Sequence, residues 1–162
     1  MTKALTDDEQ NRPPAAAARA ELVRGQLDGI LGFHIRMAAA AIYRDFAASV
    51  GPLGLTQKQF AVLELIAANG EASQIDLAAA LGADRATMMA LVDRLESRDL
   101  LQRRRSTTDR RRQMLALTST GTELLTRASE AVAAHERRFT SRYDEAELGR
   151  LIDALRLVYH GT

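Results

Sequence analysis

Between Ser73 and Glu96 the chain carries two short amphipathic segments separated by only four residues, Leu81-Gly82-Ala83-Asp84. Ser73-Gln74-Ile75-Asp76 opens the first segment with a side-chain cap, and Gly82 ends it. Asp84 then caps the second, on which Met88, Leu91, Val92 and Leu95 recur at helical spacing and leave Arg85, Ala86, Met89, Ala90 and Asp93 on the opposite face. A short helix, a glycine turn and a capped helix predict a helix-turn-helix. Apolar helices joined by glycine turns are common in all-helical proteins, so the flanking segments decide what this one does.

After Asp99 the helical period gives way to two strand-like runs, Leu100 to Arg104 and Gln113 to Leu117, around the polar loop Ser106-Thr107-Thr108-Asp109-Arg110. A hairpin, or wing, is expected there. Arg103 to Arg112 packs six arginines into ten residues, and Arg85 to Arg112 holds nine arginines against four acids, so this stretch carries +5 within a chain of net charge +1. Left unpartnered, such charges repel; beside a phosphate backbone each neutralised phosphate releases counterions and favours binding. Of the 22 basic residues only Lys3 and Lys58 are lysine. Arginine's planar fork suits phosphates and guanine edges, although a GC-rich genome favouring arginine codons accounts for the bias equally well.

The rest of the chain is helical in pattern. Residues 1–20 lack apolar periodicity and read as a flexible tail without assigned function, and Glu21 to Val50 reads as one long helix stopped by Gly51, Pro52 and Gly54. Thr56 with Gln59 caps the next helix, which carries Phe60, Leu63 and Ile66 and ends at Asn69-Gly70. Thr118 and Ser119 start a long helix to about Phe139, and Asp144 to Glu147 cap a last one bearing Leu148, Leu151, Ile152, Leu155 and Val158. The expected fold is mainly α with a small β-hairpin wing. Residues 56–117 form a winged helix-turn-helix lobe, and 21–55 with 118–162 form a helical dimerisation region. The end helices are too long for the lobe to cover, so a homodimer is expected, the alternative being a monomer whose end helices pack on each other.

Composition narrows the function classes. The apolar fraction of 46% and charged fraction of 27% over 162 residues suit one globular domain with helical extensions. No apolar run approaches the ~18 residues of a membrane span, and the N-terminus lacks an export signal, which places the protein in the cytoplasm. The absence of cysteine removes disulfides, thiolate zinc sites and thiol-based sensing. There is no glycine-rich phosphate loop or nucleophile elbow, and His34, His135 and His160 fall at spacings that suit no metal motif. The chain is therefore read as a non-enzyme without cofactor or metal. A winged helix used for protein association remains the rival, and its recognition face is expected to be acidic or apolar rather than cationic.

Leu77 to Gly82, Thr87, Leu91-Val92-Asp93-Arg94-Leu95-Glu96, Asp109-Arg110-Arg111-Arg112 and Leu117-Thr118 with Gly121 stand in the order and spacing of a family signature. Together with Gly54-Leu55-Thr56 and Gln59-Phe60, they resemble the MarR family of ligand-responsive regulators over roughly residues 25–160. The resemblance implies a triangular dimer that represses transcription on double-stranded DNA, with recognition helices in successive major grooves of a near-palindrome and wings over the flanking minor grooves. Half-sites about one helical turn apart, near 34 Å, match such a two-fold dimer. The resemblance also implies that Asp109 braces the wing, that Arg94 pairs with it, and that Arg111 enters the minor groove beside Arg105, Arg110 and Arg112. Ser73, Gln74, Arg85, Ala86 and Thr87 fall at positions of phosphate and base contacts, with Arg85 the main base-edge donor. Ala90 departs from the larger polar or basic residue common at its position, and with Met89 it places apolar atoms where thymine methyls pass.

The resemblance further implies a small effector, often an aromatic or phenolic acid, in a cleft between the dimerisation helices and the lobe. Phe33, His34, Arg36, Met37 and Phe60 are the candidate contacts. Arg36 either grips a carboxylate or the phosphates of a CoA thioester, or extends to solvent, with His34 a surface or capped histidine. A neutral lipophilic effector is the alternative.

Overall fold

A computed structural model describes residues 22–105 and 113–160. The expected tail at 1–20 and the wing positions Asp109, Arg110, Arg111 and Arg112 lie outside the described residues. The chain divides after Arg36 into two compact units.

In the first unit the expected continuous helix from Glu21 is replaced by a 3-10 helix at Gly25–Gly29, an extended Ile30 and then the start of α1, Leu31–Val50. Two glycines within five residues, Gly25 with a φ of 56°, disfavour unbroken α-helix. Leu27 and Ile30, apolar and at helical spacing, are both exposed.

In the second unit the elements follow as α2 (Gln57–Asn69), α3 (Gln74–Ala80), α4 (Arg85–Glu96), β1 (Leu101–Arg105), β2 (Gln113–Leu117), α5 (Ser119–Thr140) and α6 (Glu145–His160). Local chemistry sets the boundaries. Thr56 and Gln59 close a reciprocal capping box, with Thr56 N donating to Gln59 Oε1 at 3.0 Å and Gln59 N to Thr56 Oγ1 at 3.3 Å. Asp144 and Glu147 do the same for α6, at 2.8 and 3.0 Å.

Val62, Leu63 and Ile66 of α2, Leu77 of α3, and Met88, Val92 and Leu95 of α4 form the core, closed by Leu101, Leu115, Leu125 and Ala128. The antiparallel hairpin pairs Leu101 with Leu117 and Arg105 with Gln113. A two-stranded hairpin alone is marginal in water. Here Ala72 pairs with the free side of β2 as an isolated rung, its N–H donating to Leu115 O at 3.1 Å and its carbonyl accepting from Leu115 N at 2.8 Å.

No loop separates the hairpin from α5. Thr118, the one residue between them, caps α5 by accepting from Gly121 N at 2.9 Å and donates its hydroxyl to Asp99 O at 2.5 Å. Gly121 packs so closely that a Cβ there would stand 1.8 Å from Leu100 O.

A polar knot around the buried His135 joins α1 to α5. His135 is fully buried, its ring edge-on to Phe46 and Phe139, and its Nδ1 lies 2.5 Å from Asp45 Oδ2. Arg138 donates to the same carboxylate from Nη2 at 2.6 Å and also reaches Ser49 Oγ. Hydrogen bonds from Arg138 and His135 hold the Asp45 carboxyl down to about 2. Asp45 is thus ionised at neutral pH, and His135 Nδ1 carries the shared proton.

No residue of α6 is buried, and Leu151, Ile152, Leu155 and Val158 present an exposed apolar face. No helix among the described residues is long and apolar enough to cross a membrane.

Candidate nucleic-acid interface

The turn between α3 and α4 is built as its residues dictate. Ser73 caps α3 by accepting from Asp76 N at 3.2 Å, Gly82 takes the left-handed φ of 57°, and Asp84 caps α4 by accepting from Thr87 N at 2.9 Å. The Thr87 hydroxyl donates to Asp84 Oδ2 at 2.6 Å. These two bonds from Thr87 hold the Asp84 carboxyl below the ordinary carboxylate range. Ser73 likewise donates to Asp76 Oδ2 at 2.6 Å and is itself buried. The hydroxyl protons of Ser73 and Thr87 are therefore engaged in capping.

With Met88, Val92 and Leu95 anchored in the core, α4 turns Arg85, Ala86, Met89, Ala90, Asp93 and Arg94 to the outside. Five of the expected contact residues, Ser73, Gln74, Arg85, Ala86 and Met89, line a single concavity of about 680 Å³. Two further residues complete it, Ile75 from α3 and Gln113 from β2. Ile75 and Met89, both exposed apolar side chains, line it together with Arg85. Such a surface offers a charged donor and apolar contacts together, the pair of chemistries that distinguishes bases in a major groove. Thr87 and Ala90 do not line it.

The arginines divide into two sets. Arg104 and Arg105 are exposed at the open end of β1. Arg103 turns inward to α4, pairing with Glu96 and, at 2.5 Å, with Asp93 Oδ1. Arg98 donates to Gly54 O at 2.6 Å. Not every arginine of the basic stretch is therefore free for phosphate. Arg94 is exposed on α4, and its expected partner Asp109 is outside the described residues.

The expected effector contacts fall in different settings. In the first unit the Arg36 guanidinium stacks over Phe33, 5.5 Å from the ring centroid, and Arg24 approaches the same ring at 6.0 Å. His34 Nε2 lies 2.9 Å from Asp28 O, a local tie of the kind a capped surface histidine makes. In the second unit Met37 is exposed, and Phe60 tilts against Phe46 with centroids 6.2 Å apart. Phe46, Phe60, Leu65 and Val132 line an apolar concavity of about 350 Å³ whose rim carries Glu64 and Glu136. Sequence reasoning had named only Phe60 of these.

Two capped helices about a glycine turn, the second presenting Arg85 beside a hairpin edged with arginine, define a winged helix-turn-helix DNA-binding protein. The MarR family model matches residues 55–112. A protein of Thauera aromatica, assigned to transcriptional regulation of the hcr operon, is 39% identical over 147 residues, covering 90% of this chain and 89% of its own length. The solved structure of the transcriptional repressor CouR bound to a 23-mer DNA duplex superposes with a TM-score of 0.79 at 37% identity, covering 86% of this chain and 99% of that one. CouR bound to p-coumaroyl-CoA gives 0.76 at 36% identity, covering 86% and 98%. The chain belongs to the MarR family of DNA-binding transcriptional regulators. Regulators of this family are dimers.

Proposed function

We propose that the protein is a cytoplasmic repressor, released from a near-palindromic operator by an aromatic acid in the form of its CoA thioester. The observation that carries this reading is that one repressor fold, 36 to 37% identical to this chain over most of its length, accommodates both a DNA duplex and p-coumaroyl-CoA. A ligand releases DNA only when it binds the non-binding spacing of the two lobes more tightly than the bound one. On DNA, Arg85 reads base edges, with Ala86 and Met89 beside it in the concavity and Ala90 further along α4. Gln74 approaches the backbone, Ser73 and Thr87 set the helix starts behind it through their bonds to Asp76 and Asp84, and Arg94, Arg105 and Asp109 to Arg112 serve the wing.

The acidic rim around Phe46 and Phe60 favours a thioester over a free acid. Glu64 and Glu136 repel a carboxylate, whereas a thioester carries its charge on distant phosphates and presents a neutral ring. Phe60 then packs on the ring; within the first unit Arg36 is the residue whose charge suits an anionic effector, with Phe33, His34 and Met37 its neighbours in sequence.

The test is release of a fluorescently labelled duplex, selected from random sequence by the purified protein, followed by anisotropy. p-Coumaroyl-CoA at micromolar concentration is expected to release it, with CoA alone inert and free p-coumarate weaker. Release by neutral lipophiles but by no aromatic acid or thioester would overturn the effector assignment.

A further inference from the structure

On β1 the side chains alternate, so Leu101, Arg103 and Arg105 share one face while Gln102 and Arg104 share the other. Leu101 is buried in the core, which aims that face at the body of the lobe. Arg103 therefore lies over α4, where Asp93 and Glu96, three residues apart, stand on neighbouring positions of one helical edge. The guanidinium spans both, Nη2 to Asp93 Oδ1 at 2.5 Å and Nη1 to Glu96 Oε2. Its fork lets one residue hold two carboxylates, which a single ammonium does less well.

We infer that Arg103 is a positioning residue for DNA binding: it locks the hairpin to the recognition helix, so that the two reach the duplex in fixed register. The strands pair over only five residues each, and the backbone rung from Ala72 falls at Leu115, the residue directly across from Arg103. Arg103 is the side-chain tie at that level, on the opposite strand. Beyond it β1 runs on in sequence toward Arg110 to Arg112. Its charge is consumed by Asp93 and Glu96, so it neutralises no phosphate. This assignment rests on the operator-binding reading, and the parent protein's failure to bind any DNA would sink that reading first.

The test compares the parent, Arg103→Ala, Arg103→Lys and the triple change Arg103→Ala with Asp93→Asn and Glu96→Gln, on a selected duplex and on random duplex across a salt series. Arg103→Ala is expected to weaken the selected duplex roughly five- to ten-fold more than random duplex, with the slope of log affinity against log salt unchanged. Arg103→Lys, which keeps one contact, is expected to fall between it and the parent, and it keeps the test open if the alanine variant folds poorly. The triple variant should stay weak, because removing two unmasked carboxylates does not restore the tie. A slope lowered by about one unit per lobe would make Arg103 a phosphate ligand instead. Full recovery in the triple variant would reduce its role to masking charge, and unchanged selectivity in Arg103→Ala would end the inference.

Discussion

His135 Nδ1 and Asp45 Oδ2 lie 2.5 Å apart across 90 residues of sequence, fastening α5 to α1. Arg138, one turn on from His135, closes the same carboxylate from the other side. The folded carboxyl titrates at about 2 against an ordinary value of 3.8. The lowered value means the ionised form is favoured on folding, so this contribution is complete above pH 3.8 and is lost as pH falls through about 2. Asp45→Asn is thus expected to lower the melting temperature at pH 6 to 7, with the gap from the parent closing as the pH drops below 3.8. A gap that stays constant down to pH 2 would show that the carboxylate's charge is not what the knot uses.

Gly121 is expected to tolerate no side chain. A Cβ placed 1.8 Å from the Leu100 carbonyl oxygen can be relieved only by moving backbone on one side or the other. Gly121→Ala should cost about 3 kcal/mol or more in urea unfolding. Gly149→Ala, with nothing within 4 Å of its Cβ on an exposed helix, should instead be neutral or stabilising by up to about 1 kcal/mol.

The concavity beside α4 joins Arg85 to two apolar side chains, Met89 and Ile75. Arg85→Ala is expected to relax sequence preference at one position of each half-site, costing about 1 to 3 kcal/mol there. Replacing thymine by deoxyuridine, which lacks only the 5-methyl group, should weaken binding about four-fold at the position Met89 meets, as the loss of one buried methyl implies. In a Met89→Ala background that substitution should have little effect. Equal penalties in both backgrounds would separate Met89 from methyl reading.

Effector response should be separable from DNA binding. Arg36 stacks on Phe33 in the first unit, away from every residue of the DNA-facing concavity in sequence. Arg36→Ala is expected to raise the p-coumaroyl-CoA concentration needed for release about ten-fold, as loss of one charge-assisted contact implies, with operator affinity unchanged within a few fold. Induction of this variant as readily as the parent, measured by the same anisotropy assay, would remove Arg36 from the effector site.

What was legible in the sequence was what is decided over three or four residues. Thr56 with Gln59, Ser73 with Asp76, Asp84 with Thr87 and Thr118 with Gly121 are all caps of that span, and each helix start they mark is where the structure puts it. The start of α1 was misplaced because its apolar spacing outweighed Gly25 and Gly29, whose backbone cost periodicity does not register. Charge density counts Arg98 and Arg103 with the other arginines, since it cannot show that Arg98 is tied to Gly54 O, 44 residues away, or Arg103 to Glu96 and Asp93. Ile75 and Gln113 were missed because three elements converge on the concavity only after folding. His135 carried no local signal at all, its partner being on another helix.

The joint at Thr118 has a mechanical consequence. With a single residue between strand and helix, and that residue bonded to Asp99 O, Gly121 N and, at 3.3 Å, Leu100 O, there is no slack between hairpin and α5. The helix of 22 residues then acts as a stiff lever about 33 Å long. A tilt of about 5° at the joint swings its far end by about 3 Å, and a displacement of that size imposed near Arg138 returns to the hairpin as the same small angle.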